Sequence, residues 1–201
     1  MTKEEEIILV RAREKFMKGG FHKTTMDEIA SDLRISKKTI YKYFPSKENL
    51  ISAAIALFQK YILGQITKII ESNDDAVLKI FKIFEFIGRM MEKLDEKALA
   101  DLKSRRPEVW EQIDDFRTNL IQENFAKIID QGKSEGLIKN YPTEIIIAIY
   151  TAAIRSVINP DFVMYNKLTL DEAKNLTIDI IMSAILTEKG KEIYNKYTTG
   201  N

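Results

Sequence analysis

The chain has 201 residues, of which 45% are apolar and 30% charged, and its formal net charge is +1. Those proportions suit a soluble globular protein with a sizeable core, arranged as one large domain or two small ones. There is no cysteine and His22 is the single histidine, which excludes a disulfide framework, a thiolate metal site and a histidine-rich metal site.

Four prolines and eight glycines leave room for long helices, and the alternation of Val and Thr that marks strands is missing. The opening Thr2-Lys3, followed by Glu4 to Glu6, does not have the basic and then apolar layout of a signal peptide. The longest apolar stretch, Ile145 to Ile154, is interrupted by Thr151 and is far short of the roughly 20 residues that span a bilayer. A cytoplasmic protein with no membrane partner is expected. Charge is unevenly spread: residues 1–48 carry 11 Lys/Arg against 8 Asp/Glu, and residues 49–201 carry 20 against 22. Between Arg34 and Lys47 stand five cations and no acid, interleaved with Tyr41 and Tyr43. Such a stripe fits phosphate binding; a solvated helix face has the same composition.

In chain order, a first helix is expected from Lys3 to Lys18, with Ile8, Ala12 and Phe16 on one stripe and Gly19-Gly20 as its stop. Thr25 and Glu28 form a capping box for a short second helix that buries Met26, Ile29 and Leu33. After a break at Arg34-Ile35, Ser36 caps a third short helix seated by Ile40 and Phe44. Pro45-Ser46 breaks the chain again, and Ser46 caps a fourth helix reaching about Glu71. Phe21 and Ile35 complete a miniature core. Two short helices joined by about three residues have the spacing of a helix-turn-helix. Lys37, Lys38, Thr39, Tyr41 and Lys42 then point outward from the third helix. These are side chains that reach guanine acceptors, thymine methyls and phosphate oxygens in a major groove.

The remainder reads as helices only. Asp74 or Asp75 opens one to about Lys93, Leu94 to Lys103 forms a short one, and Pro107 opens a long one to about Glu135 with Gly136 beyond its end. Pro142-Thr143 opens another that ends near Asn159-Pro160. Thr169 or Asp171 opens the last, to about Thr187, and the tail after Gly190 is read as frayed. The expected fold is all-α, about nine helices. A three-helix helix-turn-helix domain (residues 1–47) is joined through a long helix to a C-terminal helical bundle (residues 48–201).

The run Thr24 to Leu50, with its Ile40-Tyr41-x-Tyr43-Phe44-x-x-Lys47 ending in register with Ile29-Ala30 and Ser36, closely resembles the signature of the TetR family of bacterial repressors. Phe16, Gly20 and Phe21 fit as well, and the detailed likeness covers about fifty residues. The resemblance implies a homodimeric regulator that binds double-stranded operator DNA and responds to a small-molecule effector. It implies that Thr25 bonds a phosphate, that Lys37, Lys38 and Thr39, following Ser36, face base edges or adjoining phosphates, and that Tyr41 and Tyr43 bond the backbone. Lys42 adds a further cation, and Lys47 meets a phosphate at the start of the fourth helix. Thr25 as a plain cap and Tyr43 as half-buried packing remain alternatives. Two positions depart from the family, which often has Gly where Arg34 and Lys38 stand here. Arg34 is expected to need a different turn, because a left-handed residue is costly without glycine. Lys38 puts a long cation where the family has bare backbone.

In the family the C-terminal part dimerises and binds the effector. One candidate dimer stripe is Ile146, Ile149, Ala153 and Val157, and another is Ala173, Thr177, Ile180 and Ala184. Periodicity does not separate an outward interface from a face turned into the chain's own core. Large soft side chains in the middle helices, Phe81, Phe84, Met91, Trp110, Phe116 and Phe125, suit a pocket for a largely apolar effector; a filled core has the same composition. Arg105, Arg106 and Arg155 are minor candidates for anchoring an anion. No cofactor or metal is expected. The chain lacks a nucleophile or acid-base constellation, a Gly-rich phosphate loop and metal-ligand spacing, so an enzyme is not expected. The competing reading is a helical interaction module that keeps the helix-turn-helix only as scaffold.

Overall fold

The computed structural model describes residues 1–92 and 96–198. Among them are eleven helices and no strand: α1 Lys3–Gly19, α2 Met26–Leu33, α3 Lys37–Tyr43, α4 Lys47–Ile70, α5 Ala76–Met91, α6 Glu96–Arg105, α7 Pro107–Ser134, α8 Thr143–Val157, α9 Pro160–Asn166, α10 Leu170–Ile185 and α11 Glu188–Thr198. The expected boundary at Lys93–Leu94 lies outside the described residues.

The all-α class is as expected, and the count differs by two helices. Asn159-Pro160 ends α8 and also starts α9, because proline at the first helical position loses no hydrogen bond and Asn159 caps it with an Oδ1 bond to the Asp161 amide, 3.1 Å. Residues 191–198, expected to be frayed, are helical. Gly190 lies so close to the Leu137 carbonyl that a Cβ there would stand 2.2 Å from its oxygen. The Thr187 amide bonds the same carbonyl at 3.0 Å, so α11 is docked by its first turn.

By packing, the chain forms two compact units: Met1–Ile62 with Lys93–Ile113, and Leu63–Glu92 with Asp114–Asn201. The first unit thus runs past the expected boundary at residue 47 and takes in a second stretch of chain. The core of the first unit gathers Ile8, Ala12 and Phe16 of α1, Ile29 of α2, Ile40 of α3 and Leu50, Ile51 and Ala54 of α4. Leu102 of α6 and Val109 of α7 complete it, and Leu33 and Ile35 are half-buried against it. Phe16 and Phe21 stack with ring centroids 5.4 Å apart, which ties the end of α1 to the loop before α2. By length and composition α4 would suffice to cross a membrane (mean hydropathy 1.3), a property that core helices share.

In the second unit, α5 buries Val77, Ile80 and Ile83, α7 buries Ile121, Phe125, Ile128 and Ile129, and α10 buries Ala173, Ile178 and Met182. α8 and α10 pack on one another, as do α5 and α11. An isolated antiparallel bridge, Ile138 to Leu186, ties the loop after α7 to the end of α10.

Candidate nucleic-acid interface

The site is built by local caps on a small core. The Thr25 hydroxyl accepts from the Glu28 amide at 3.2 Å and the Glu28 carboxylate accepts from the Thr25 amide at 2.7 Å, so α2 starts where the capping box demands. Arg34 ends it with φ 55° and ψ 38°. The expected different turn is not adopted: Arg34 takes the left-handed conformation itself, and the Ile35 amide bonds back to Ala30 at 3.0 Å. Ser36 then caps α3, its hydroxyl accepting from the Thr39 amide at 3.0 Å. Its Oγ also lies 2.8 Å from the Thr39 hydroxyl.

Ile40 and Phe44 are buried and seat α3, so the rest of the helix is presented outward. Lys37, Lys38, Tyr41 and Lys42 are exposed, Thr39 and Tyr43 are half-buried, and Ser36 and Thr25 are exposed at their caps. Lys47 is half-buried at the start of α4. The candidate contact residues therefore lie within one unit and, except for Thr25 and Lys47, in a single run of eight residues.

Several of these groups are already engaged, through partners that sequence reasoning missed. The Lys37 ammonium is 2.7 Å from the Asp27 carboxylate in the first turn of α2, and this hydrogen bond raises its pKa above the ordinary lysine value. The Tyr43 hydroxyl donates to Glu4 of α1. The Lys42 ammonium sits over the Tyr43 ring, 5.0 Å from its centroid. Lys47 donates to the His22 carbonyl at 2.9 Å. Its partial burial, with the Arg106 charge nearby, lowers its pKa. Arg106, a minor anion-anchor candidate, is in this unit, bonding Glu48 at 2.7 Å and holding that carboxyl below its usual range. Nothing local in the sequence points to Asp27, Glu4 or Arg106.

The remaining candidates lie partly elsewhere. Trp110 belongs to the first unit, half-buried against its core with Lys103 over its ring. Phe84 and Phe125 meet in the second unit, centroids 5.9 Å apart, and Tyr150 joins them at 6.3 and 4.8 Å. Burial raises the Tyr150 pKa. The gap among these rings and their aliphatic neighbours is about 10 Å³, the space of one small solvent molecule. Phe81 packs on Tyr197 with centroids 5.7 Å apart, and Met91 and Phe116 are half-buried. Of the candidate dimer stripes, Ile146, Ala173 and Thr177 are buried, Ala153 and Val157 are half-buried, and Ile149, Ile180 and Ala184 are exposed. Arg155 pairs with Asp114 at 2.8 Å, and Arg105 pairs with Asp101 at 2.6 Å.

A capped second helix, a tight turn and a seated third helix with a cationic outer face define a helix-turn-helix DNA-binding protein. The sequence profile of the bacterial regulatory proteins of the tetR family matches residues 8–54. The chain is 25% identical over 170 residues, covering 82% of itself and 87% of its relative, to an uncharacterized HTH-type transcriptional regulator, YvaF, of Bacillus subtilis (strain 168). Its fold matches a TetR transcription regulator from Haloarcula marismortui ATCC 43049 with TM-score 0.71, at 19% identity over 93% of this chain and all of the other. It also matches a transcriptional regulator from Saccharomonospora viridis, solved in complex with choline, with TM-score 0.66, at 18% identity over 94% of this chain and all of the other. Residues 8–54 therefore match the N-terminal region of the tetR-family regulatory proteins, and the chain is a DNA-binding transcriptional regulator.

Proposed function

We propose that the chain is a homodimeric repressor that holds operator DNA through α3 and lets go when a small molecule enters its second unit. The observation that carries the DNA half is the outward row of Lys37, Lys38, Tyr41 and Lys42 on a helix anchored by two buried side chains. Lys37, Lys38 and Thr39 read base edges. Thr25, Ser36, Tyr41, Lys42, Tyr43 and Lys47 hold phosphates and set the register. Two such heads read half-sites about 34–36 Å apart, or a multiple of that. Each must first release the internal partners of Lys37 and Tyr43, so part of the binding energy is spent on exchange. No enzymatic role is proposed, and the working place is the cytoplasm, where operator DNA is.

The dimer contact is assigned to the outward stripes of α8 and α10. Ile149 is 58% exposed and Ile180 is 70% exposed, with Ile145, Leu176 and Ala184 beside them. Large aliphatic side chains left in water on two packed helices favour burial against a second copy. The effector half draws on the relative bound to choline and on the aromatic cluster of the second unit. That cluster is filled, so a ligand enters only by repacking it. α4 and α7 run from one unit into the other and connect such a change to the reading head.

The experiment is fluorescence anisotropy with the chain's own upstream DNA, wild type against Lys37→Ala and Thr39→Ala. Altered base preference supports the reading. Unchanged affinity and preference in both variants favours the interaction-module alternative.

A further inference from the structure

We propose that the second unit contains a head-group subsite for an amphipathic carboxylate, made by Arg117 and Thr118 of α7 and Thr151 of α8. This rests on the effector reading above and names the class of its ligand.

Three buried polar atoms of these residues have no hydrogen-bond partner: Arg117 Nε, Thr118 Oγ1 and Thr151 Oγ1. Buried polar groups are nearly always paired, so each needs a reason. A helical threonine has a local partner within reach, the carbonyl four residues back. Thr177 takes that partner, donating to Ala173 at 2.7 Å. Thr118 and Thr151 do not, although Thr151 is only 8% exposed.

The three atoms belong to one stretch of the contact between α7 and α8. Arg155 meets Asp114 at 2.8 Å and Tyr150 meets Phe125 at 4.8 Å between centroids, so α7 and α8 run antiparallel. Thr118 lies one turn beyond Asp114, and Thr151 one turn before Arg155, inside the same interval. Charge sets the sign of the ligand. Asp114 receives both Arg117 and Arg155, and Arg117 spends its Nη1 on the Ile158 carbonyl at 3.2 Å. Two guanidiniums against one carboxylate leave a net positive charge, and the buried Arg117 Nε–H is left without a partner in the same stretch as two hydroxyls that donate as readily. An oxyanion satisfies all three, and a carboxylate suits the guanidinium best. From Thr118 to Phe125 is about 10 Å along α7. A medium-length alkyl chain leaving the head group therefore ends among the rings of Phe84, Phe125 and Tyr150.

The test uses the full chain with three probes of equal chain length: octanoate, 1-octanol and octyltrimethylammonium. Calorimetry and operator release are measured for wild type, Thr118→Val and Thr151→Val, and melting temperature for the same proteins without ligand. Octanoate is expected to bind at least about tenfold more tightly than the other two, and to lose about tenfold in either variant. Both variants, isosteric and free of the orphan hydroxyl, are expected to melt at or above the wild-type temperature. Melting below wild type in both variants means the hydroxyls are bonded in solution, and overturns the subsite. So does equal binding of octanol, or no binding of octanoate. Operator release by a neutral or cationic compound, with octanoate inert, overturns the carboxylate assignment and leaves the effector reading standing.

Discussion

Lys37 Nζ lies 2.7 Å from Asp27 Oδ2, so the first residue of the recognition helix is ion-paired to the helix before it. Both side chains are largely exposed, and the pair adds little to stability. Its effect falls on DNA binding, because a lysine that meets a base or phosphate must leave Asp27, and the carboxylate then faces the DNA. Asp27→Asn should strengthen binding to non-operator DNA and steepen the salt dependence by about one counterion. Discrimination between operator and random DNA should fall. Anisotropy titrations across a salt series check this; an unchanged slope and unchanged random-DNA affinity would count against a role for the pair.

Lys47 offers a pH dependence. Partial burial and Arg106 lower its pKa below the ordinary 10.5 in the free protein, and a phosphate would raise it on binding. Binding then takes up a proton wherever free Lys47 is deprotonated, so operator affinity should decline as pH rises through its lowered pKa. Below that pKa the lysine is charged in both states and the effect vanishes. Lys47→Arg should flatten the decline, since guanidinium stays charged throughout that range. Parallel pH titrations of the two proteins provide the measurement.

The exposed stripe of α8 and α10 gives an assembly prediction. Ile180→Glu puts a charge where an apolar side chain is 70% exposed in the single chain, so the fold should survive. Dimerisation should weaken by at least about tenfold, and operator affinity should fall with it. Sedimentation at micromolar concentration separates this from misfolding. A wild type that sediments as a monomer would refute the interface.

Arg34 carries a backbone prediction. A non-glycine residue in the left-handed region costs about 1–2 kcal/mol, and glycine there returns part of that gain through its greater unfolded-state freedom. Arg34→Gly should therefore stabilise the protein by roughly 0.5–1 kcal/mol, whereas Arg34→Ala should not. Thermal or urea unfolding distinguishes the two. Loss of the cation should weaken DNA binding equally in both.

The elements of the reading head were legible because their determinants are local. Thr25 with Glu28, Ser36 with Thr39, and Gly20 at the end of α1 act across four residues or fewer, and their pattern survives in any tertiary setting. The partners of the outward side chains were not legible. Lys37 and Asp27 are ten residues apart, Tyr43 and Glu4 thirty-nine, and only the packing of α1, α2 and α3 brings them together.

The same limit applies to the helices beyond. Sequence alone determined that α8 and α10 are helices with apolar residues on more than one face. Such helices satisfy several stripes at once, so periodicity could not say which side is buried. Packing inside the unit decided it, turning Ile146, Ala173 and Thr177 inward and leaving Ile145, Ile149, Leu176 and Ile180 outside. Tertiary contact also placed Trp110 with the reading head, docked α11 through Gly190, and buried the Thr118 and Thr151 hydroxyls without partners. Caps and turns are encoded within a few residues, while the facing of a helix and the pairing of its buried polar groups depend on neighbours distant in the chain.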